Sequence, residues 1–416
     1  MTNVQPSPAD QKSKRLSMTP QEKHISMSLA AVFALRMLGL FLILPVFAVY
    51  ARQLPGGEQE FYVGLALGIY GLTQCFLQIP FGLASDRLGR KPVIIFGLLL
   101  FIVGSIVAAL ATNIWLVIAG RALQGAGAIS AAVTAFIGDA VRETVITRAM
   151  AMVGASIGLT FALSLVVAPP LAQLWGVPGL FWMTAFLSFL AIIMVSRLRP
   201  HTAQHDTQDS EAHRPWLKIV FDPQLLRLNA GIFFLHAAQM SLFVVVPPRL
   251  VSMDLPVLHH WYIYLPAVLI GFAIMVKPII WAERNAKVVK LQRICISLLF
   301  VVFALFTFLM HSIWEIAFLM TLFFAAFNIL EATLPSLISR TAPKSDKGFA
   351  LGVYNTTQSL GLFVGGAVGG WIAQHFSAEA VFVVSSFAML IWFTLALGQK
   401  EPLSKKAREH GEAIQV

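Results

Sequence analysis

Twelve stretches of this 416-residue chain are almost wholly apolar. Each has roughly the 17 to 25 residues that a helix needs to cross a hydrocarbon core about 30 Å thick. They cover residues 28–50, 61–84, 93–110, 114–139, 149–171, 180–197, 226–248, 261–281, 291–310, 314–338, 348–374 and 380–397, and are numbered spans 1 to 12. Nothing else in the sequence limits the fold so strongly. Continuous apolarity over such lengths predicts helices, because in lipid each backbone amide must find its partner within its own segment; a barrel would show shorter, alternating strands. Composition agrees: 57% of residues are hydrophobic and 12% charged, against about 25% charged in an ordinary soluble domain. The expected class is therefore an all-α polytopic membrane protein. Cys75 and Cys295 both fall inside apolar stretches, which gives neither a disulfide framework nor a zinc cluster, so no metal site is expected. The polar segment before span 1 does not have the form of a cleavable signal peptide.

The net charge of +10 invites a nucleic-acid partner, but its distribution points elsewhere. Placing the N-terminus and every even-numbered connection on one side gathers 25 of the 30 Lys and Arg residues there. The other side holds Arg52 and Arg249, and Arg36, Arg121 and Lys277 lie within spans. This is the positive-inside signature; it predicts that both termini are cytoplasmic, and it explains the basic charge with no nucleic acid.

The longest polar interval, around His201 to Pro215, divides the spans six and six. The expected organisation is an N-terminal arm (1–27), a first six-helix bundle (28–198), a linker (199–224), a second bundle (225–398) and a tail (399–416). Trp216 to Phe221 has the pattern of a short surface helix. Awkward groups recur every third span: Arg36 in span 1, Arg121 and Gln124 in span 4, His236 and Gln239 in span 7, Asn328 and Glu331 in span 10. An ionisable group at membrane depth costs several kcal/mol unless it faces a partner or water. The period therefore suggests two halves built of inverted three-helix repeats whose first helices line a central cavity. Chance placement of a few polar residues is the competing reading. Glycines spaced by four predict close helix packing at Gly64 and Gly68, Gly154 and Gly158, and Gly361, Gly365 and Gly369.

Between spans 2 and 3 the sequence reads Gly82-Leu-Ala-Ser-Asp86-Arg87-Leu-Gly89-Arg90-Lys91-Pro92, a tight turn with four charges in six residues. This closely resembles the signature loop of the major facilitator superfamily. Arg121-Ala-Leu-Gln124-Gly125-Ala-Gly127 in span 4 resembles the second motif of that family's proton-coupled members. Leu35-Arg36-Met-Leu-Gly39, Gly68-Ile-Tyr-Gly71-Leu-Thr-Gln74 and Phe327-Asn328-Ile-Leu-Glu331 are similar to a group within its drug and proton antiporter branch. The resemblance covers residues 28–398 and implies the major facilitator fold of two pseudo-symmetric six-helix bundles, monomeric, in the bacterial inner membrane. In two respects the chain departs from the pattern. It stops without the small soluble domain of that group, and span 5 lacks the antiporters' Gly-Pro-x-x-Gly-Gly run, with Gly158-Leu159-Thr160 instead.

The resemblance implies roles for particular residues. Asp86 would sit beside the N-terminus of span 11 in the outward-facing state, where a helix dipole favours a carboxylate by about 0.3 to 1 kcal/mol. Arg90 would bridge to Asp139 at the end of span 4, with Gly82, Arg87, Gly89 and Lys91 completing the latch. Its alternative is orientation and binding of anionic lipid by Arg87, Arg90 and Lys91. The connection Glu283-Arg284-Asn-Ala-Lys287 lacks the glycines, so no equivalent is expected in the second half. Arg36 and Arg121 keep their protons and can hold a counter-charge or an anionic group. Glu331 can carry a proton as its surroundings alternate between dry and wet, and His236 is a second candidate. Against these stand a structural ion pair and a neutral, hydrogen-bonded histidine. Gln74 and Gln78 in span 2, with Asn355 and Gln358 opening span 11, add neutral polar groups that suit an amphipathic or weakly polar small molecule.

The expectation is a secondary transporter exporting such compounds against protons, with the proton gradient as energy source and no cofactor. A proton-coupled importer or uniporter of a metabolite is the same-fold alternative, and a non-transporting sensor a further one. An enzyme is not expected: no phosphate-binding loop or His-Glu-x-x-His run occurs, and His259 with His260 reads as a solvated pair.

Overall fold

The computed structural model describes residues 18–198, 216–343 and 346–401. All twelve expected spans are helical within it. Span 1 comprises Pro20–Phe41 and Leu44–Ala51, span 2 Glu60–Leu88, span 3 Arg90–Ala109, and span 4 Ile114–Ala126 with Ser130–Ala140. Spans 5 and 6 share the run Glu143–Arg197, which breaks at Gly176 with φ of 67° ahead of Pro178. Pro223–Ser252, Trp261–Arg284, Val288–Phe306, Ile313–Thr341, Lys347–His375 and Ala378–Leu397 are spans 7 to 12. The arm before residue 18, residues 199–215 of the expected linker and the tail after Glu401 lie outside the described residues. The linker's last part forms the helix Trp216–Val220, with Ile219 buried and Trp216 exposed.

Helix ends are set by short polar side chains. Thr19 with Glu22 and Ser312 with Glu315 form reciprocal capping boxes, while Asn113, Asp222 and Ser377 each accept from the first turn of their helices. Gly89 alone separates spans 2 and 3; its φ of 91° lets two long helices reverse in one residue. The corresponding turn between spans 8 and 9 is made by Asn285-Ala286-Lys287, with Ala286 at φ of 51°, a strained position for a residue with a Cβ.

Span 11 is the least lipid-like of the twelve because protein covers it on two sides. One face, Gly366 and Gly370, lies against Gly64 and Glu60 of span 2, so closely that a methyl group on either would overlap a facing carbonyl. The other, Gly361 and Gly365, lies equally close to the backbone at Phe233 and Ala237 of span 7, with Gly369 beside Ser241. The contact between spans 2 and 11 thus joins the two halves. It includes a hydrogen bond from the Phe61 amide to Gln374 Oε1 at 3.0 Å and continues inward to Gly71 against Ser359. Toward the opposite, lysine- and arginine-rich end the seam opens: Gly348 and Gly352 of span 11 face empty space. Gly154 and Gly158 of span 5 do so too, which corrects the expectation of close packing there. The halves are therefore closed at one end and parted at the basic end.

Candidate functional site

At the basic end, Arg90 joins three elements. Its Nε donates to Asp139 Oδ2 at 2.7 Å, and its Nη1 donates to Ser85 Oγ at 2.8 Å and to Asp86. Lys91 Nζ donates to the Ser196 and Leu198 carbonyls, the unpaired C-terminal acceptors of span 6. Asp86 is mostly exposed and paired within its own half, while Arg87 is exposed and Gly82 rests beside Ala131. A second strut, Glu22 with Arg142 (2.7 Å), ties the start of span 1 to the connection between spans 4 and 5.

The second half has its own strut, contrary to the sequence expectation, with the charges exchanged. Glu283 at the end of span 8 pairs with Arg340 at the end of span 10 at 2.5 Å. Arg293 of span 9 donates to the Ala396, Leu397 and Gln399 carbonyls at the end of span 12, as Lys91 does for span 6. Glu401 accepts from the Val288 and Val289 amides at the start of span 9. Burial raises the Glu401 carboxyl above the usual carboxylate range, against the opposing pull of those two amides.

Inside the first half, both arginines are buried. Arg36 donates to the Tyr70 hydroxyl at 2.6 Å, to the Gly127 carbonyl at 3.1 Å and to Ser130 Oγ at 3.3 Å. Gly127 and Ser130 flank the break in span 4, so the guanidinium occupies the negative end of the half-helix Ile114–Ala126. Arg121 donates to the Ala66 and Leu67 carbonyls of span 2 and to Gln124 Oε1, and Gln124 donates to Ser105 Oγ at 2.8 Å. The Tyr70 ring lies between the two cations, 5.8 Å from Arg36 and 5.3 Å from Arg121. Every one of these acceptors is neutral.

The second half gathers different chemistry. His236 Nδ1 lies 3.2 Å from the Ile232 carbonyl, which can only accept, so Nδ1 bears the proton. Its Nε2 then accepts from Gln358 Nε2 at 2.7 Å. Glu331 Oε2 lies 3.8 Å from the same ring nitrogen and has no hydrogen-bond partner, although the side chain as a whole is 31% exposed. Tyr354, one turn before Gln358, is buried with an unpartnered hydroxyl. Asn328 Nδ2 is also unpartnered and lies beside Gly271 of span 8. Spans 7, 10 and 11 thus bring His236, Glu331 and Gln358 together.

Gln239 meets Arg121 across the seam: both border a cavity of about 20 Å³ with Tyr70, Leu67, Met240 and Leu362. Gln74 and Gln78 are buried on span 2 with unpartnered amide atoms, two on Gln78. Asn355 is half-buried on span 11. His260 is fully buried against Tyr264, not solvated; only His259 keeps partial exposure, stacked on Tyr262. The sequence reading missed Tyr70, Ser105, Ser130 and Tyr354. The spacing of Tyr70 four residues before Gln74, and of Tyr354 four before Gln358, was the available signal.

Comparison with known proteins agrees with this architecture. The Major Facilitator Superfamily profile matches residues 29–291 and 288–415. Inner membrane transport protein YajR of Escherichia coli (strain K12) is 43% identical over 387 residues, covering 92% of this chain and 85% of that protein. Multidrug resistance protein 1 of Bacillus subtilis (strain 168) is 24% identical, covering 89% and 95% respectively. Among solved structures, a bacterial homolog of the human lysosomal transporter Spinster, in an inward-facing and occupied conformation, superposes with a TM-score of 0.72 at 11% identity, covering 92% and 97%.

Proposed function

Because the chain belongs to the Major Facilitator Superfamily and is a secondary active transporter of small organic compounds, we propose that it exports amphipathic compounds in exchange for protons across a bacterial inner membrane. The observation that carries the proton step is the Glu331–His236 pair: a carboxyl oxygen without a donor, 3.8 Å from an imidazole, on spans 10 and 7. Arginines cannot release a proton near neutrality, so coupling falls to this pair. With the basic end on the cytoplasmic side, the structure is inward-facing, and Glu331 exchanges its proton with the cytoplasm. Closure of that side brings Asp86 to the first turn of span 11 and turns the pair toward the periplasm. The names of the similar proteins support the efflux direction, as they include a multidrug resistance protein.

Substrate uptake into inverted vesicles, with and without an imposed pH gradient, tests the reading. Wild-type uptake should follow the gradient. Glu331→Gln should lose that dependence, with a fall of about ten-fold in gradient-driven flux and little change in unfolding temperature. Gradient-driven uptake that persists in the variant removes Glu331 from the proton path.

A further inference from the structure

The interior charge of the molecule is lopsided. Every acidic residue of the first six spans lies at a helix end or in a connection: Glu22, Glu58, Glu60, Asp86, Asp139 and Glu143. Arg36 and Arg121 therefore place two permanent positive charges at membrane depth, bonded only to carbonyls, hydroxyls and one amide. Neutral acceptors satisfy hydrogen bonds without cancelling charge, and in a low-dielectric interior the remaining potential is felt strongly. In the last six spans only Glu331 is acidic away from a helix end, and it is neutral whenever it carries its proton. The interior thus holds an excess of positive charge in either protonation state.

Arg121 is the cation placed to use that excess. Three of its five N–H groups are engaged, and it borders the cavity between spans 1, 2, 4, 7 and 11. The opposite wall supplies the Gln239 amide, and Leu40, Phe41, Leu67 and Leu362 make the remainder apolar. At about 20 Å³ the cavity admits one water-sized group in this conformation. It lies where spans 2 and 11 are packed together, at Leu67, Tyr70 and Leu362.

We propose that this cavity, widened as the halves separate, binds the negatively charged head of an amphipathic organic anion, a carboxylate or sulfonate, with its apolar part against the leucines. The proposal rests on the transport reading above and narrows it to a substrate class. A cationic compound would meet two fixed positive charges with no embedded carboxylate in the first half to offset them. Arg36, held at the break of span 4, supplies potential and no contact.

The test uses three probes of one shape with the 416-residue chain: 4-phenylbutyrate, 4-phenylbutyramide and 4-phenylbutylammonium. Equilibrium binding and proteoliposome flux should rank the carboxylate first and the ammonium last, separated by about ten-fold or more. Arg121→Lys, which keeps the charge and loses the fork, should preserve the ranking with weaker binding. Arg121→Gln should erase it. The wild-type and Arg121→Lys measurements suffice if Arg121→Gln does not fold. An ammonium that binds as well as the carboxylate, or three probes that do not differ, overturns the proposal. Gradient-driven flux of the amide or the ammonium, lost in Glu331→Gln, would leave proton-coupled transport standing while the anion preference falls.

Discussion

The two halves handle buried charge by opposite means. In the first, Arg36 and Arg121 cannot change charge, and each is held by three hydrogen bonds to neutral acceptors, so the cluster with Tyr70, Gln124 and Ser130 carries a fixed charge. In the second, His236 and Glu331 can change charge, and several neighbouring atoms on Glu331, Asn328 and Tyr354 are left without partners. Fixed and titratable buried groups are thereby kept on separate six-helix units.

Substitution should break this contrast in a graded way. Arg36→Leu strands Tyr70, the Gly127 carbonyl and Ser130 in a dry interior, and should cost about 3 kcal/mol or more in stability; His236→Gln should cost no more than about 1 kcal/mol. Thermal unfolding of the purified variants compares them, and equal losses would dissolve the distinction. Asp86→Asn should leave membrane insertion intact yet shift the balance between conformations by about two- to five-fold, the worth of a helix-dipole contact, read by cysteine-probe access from the cytoplasmic side. The charge-exchanged strut should matter less: Arg340→Gln should cost at most about 1 kcal/mol because both partners are partly solvated. Arg90→Gln, which releases two carboxylates, should cost more than Arg340→Gln. At the turns the two halves should differ in sign. Gly89→Ala should destabilise by about 1 kcal/mol, and Ala286→Gly should stabilise by less than that, since only the first turn already has the residue its backbone requires.

The spans, their number and the six-and-six division were legible because membrane thickness imposes a length on every helix, and hydropathy records that length directly. The tight turn between spans 2 and 3 was legible from its glycines and charges, while its narrowing to Gly89 alone was not, because apolarity stops short of both helix ends. Partners across long sequence separations were not. Glu283 and Arg340 are 57 residues apart, and nothing local to either announces the pair. Glycine spacing misled in part: Gly154 and Gly158 match the packing pattern but face open space, whereas Gly366 and Gly370, offset from the run that stood out, make the contact between halves. A spacing of four identifies a helix face and says nothing about which neighbour, if any, meets it. Tyr70 and Tyr354 passed as ordinary aromatic residues because their importance lies in what surrounds the hydroxyl.

Span 11 meets span 2 on one side and span 7 on the other, backbone to backbone along glycine. Such a surface has no rotamers to unlock, so one helix can glide past another without a toll at each turn. The same smoothness leaves no tolerance: a single added methyl at Gly366 would jam the bearing, and a chain that still inserts and folds would arrive in the membrane unable to work.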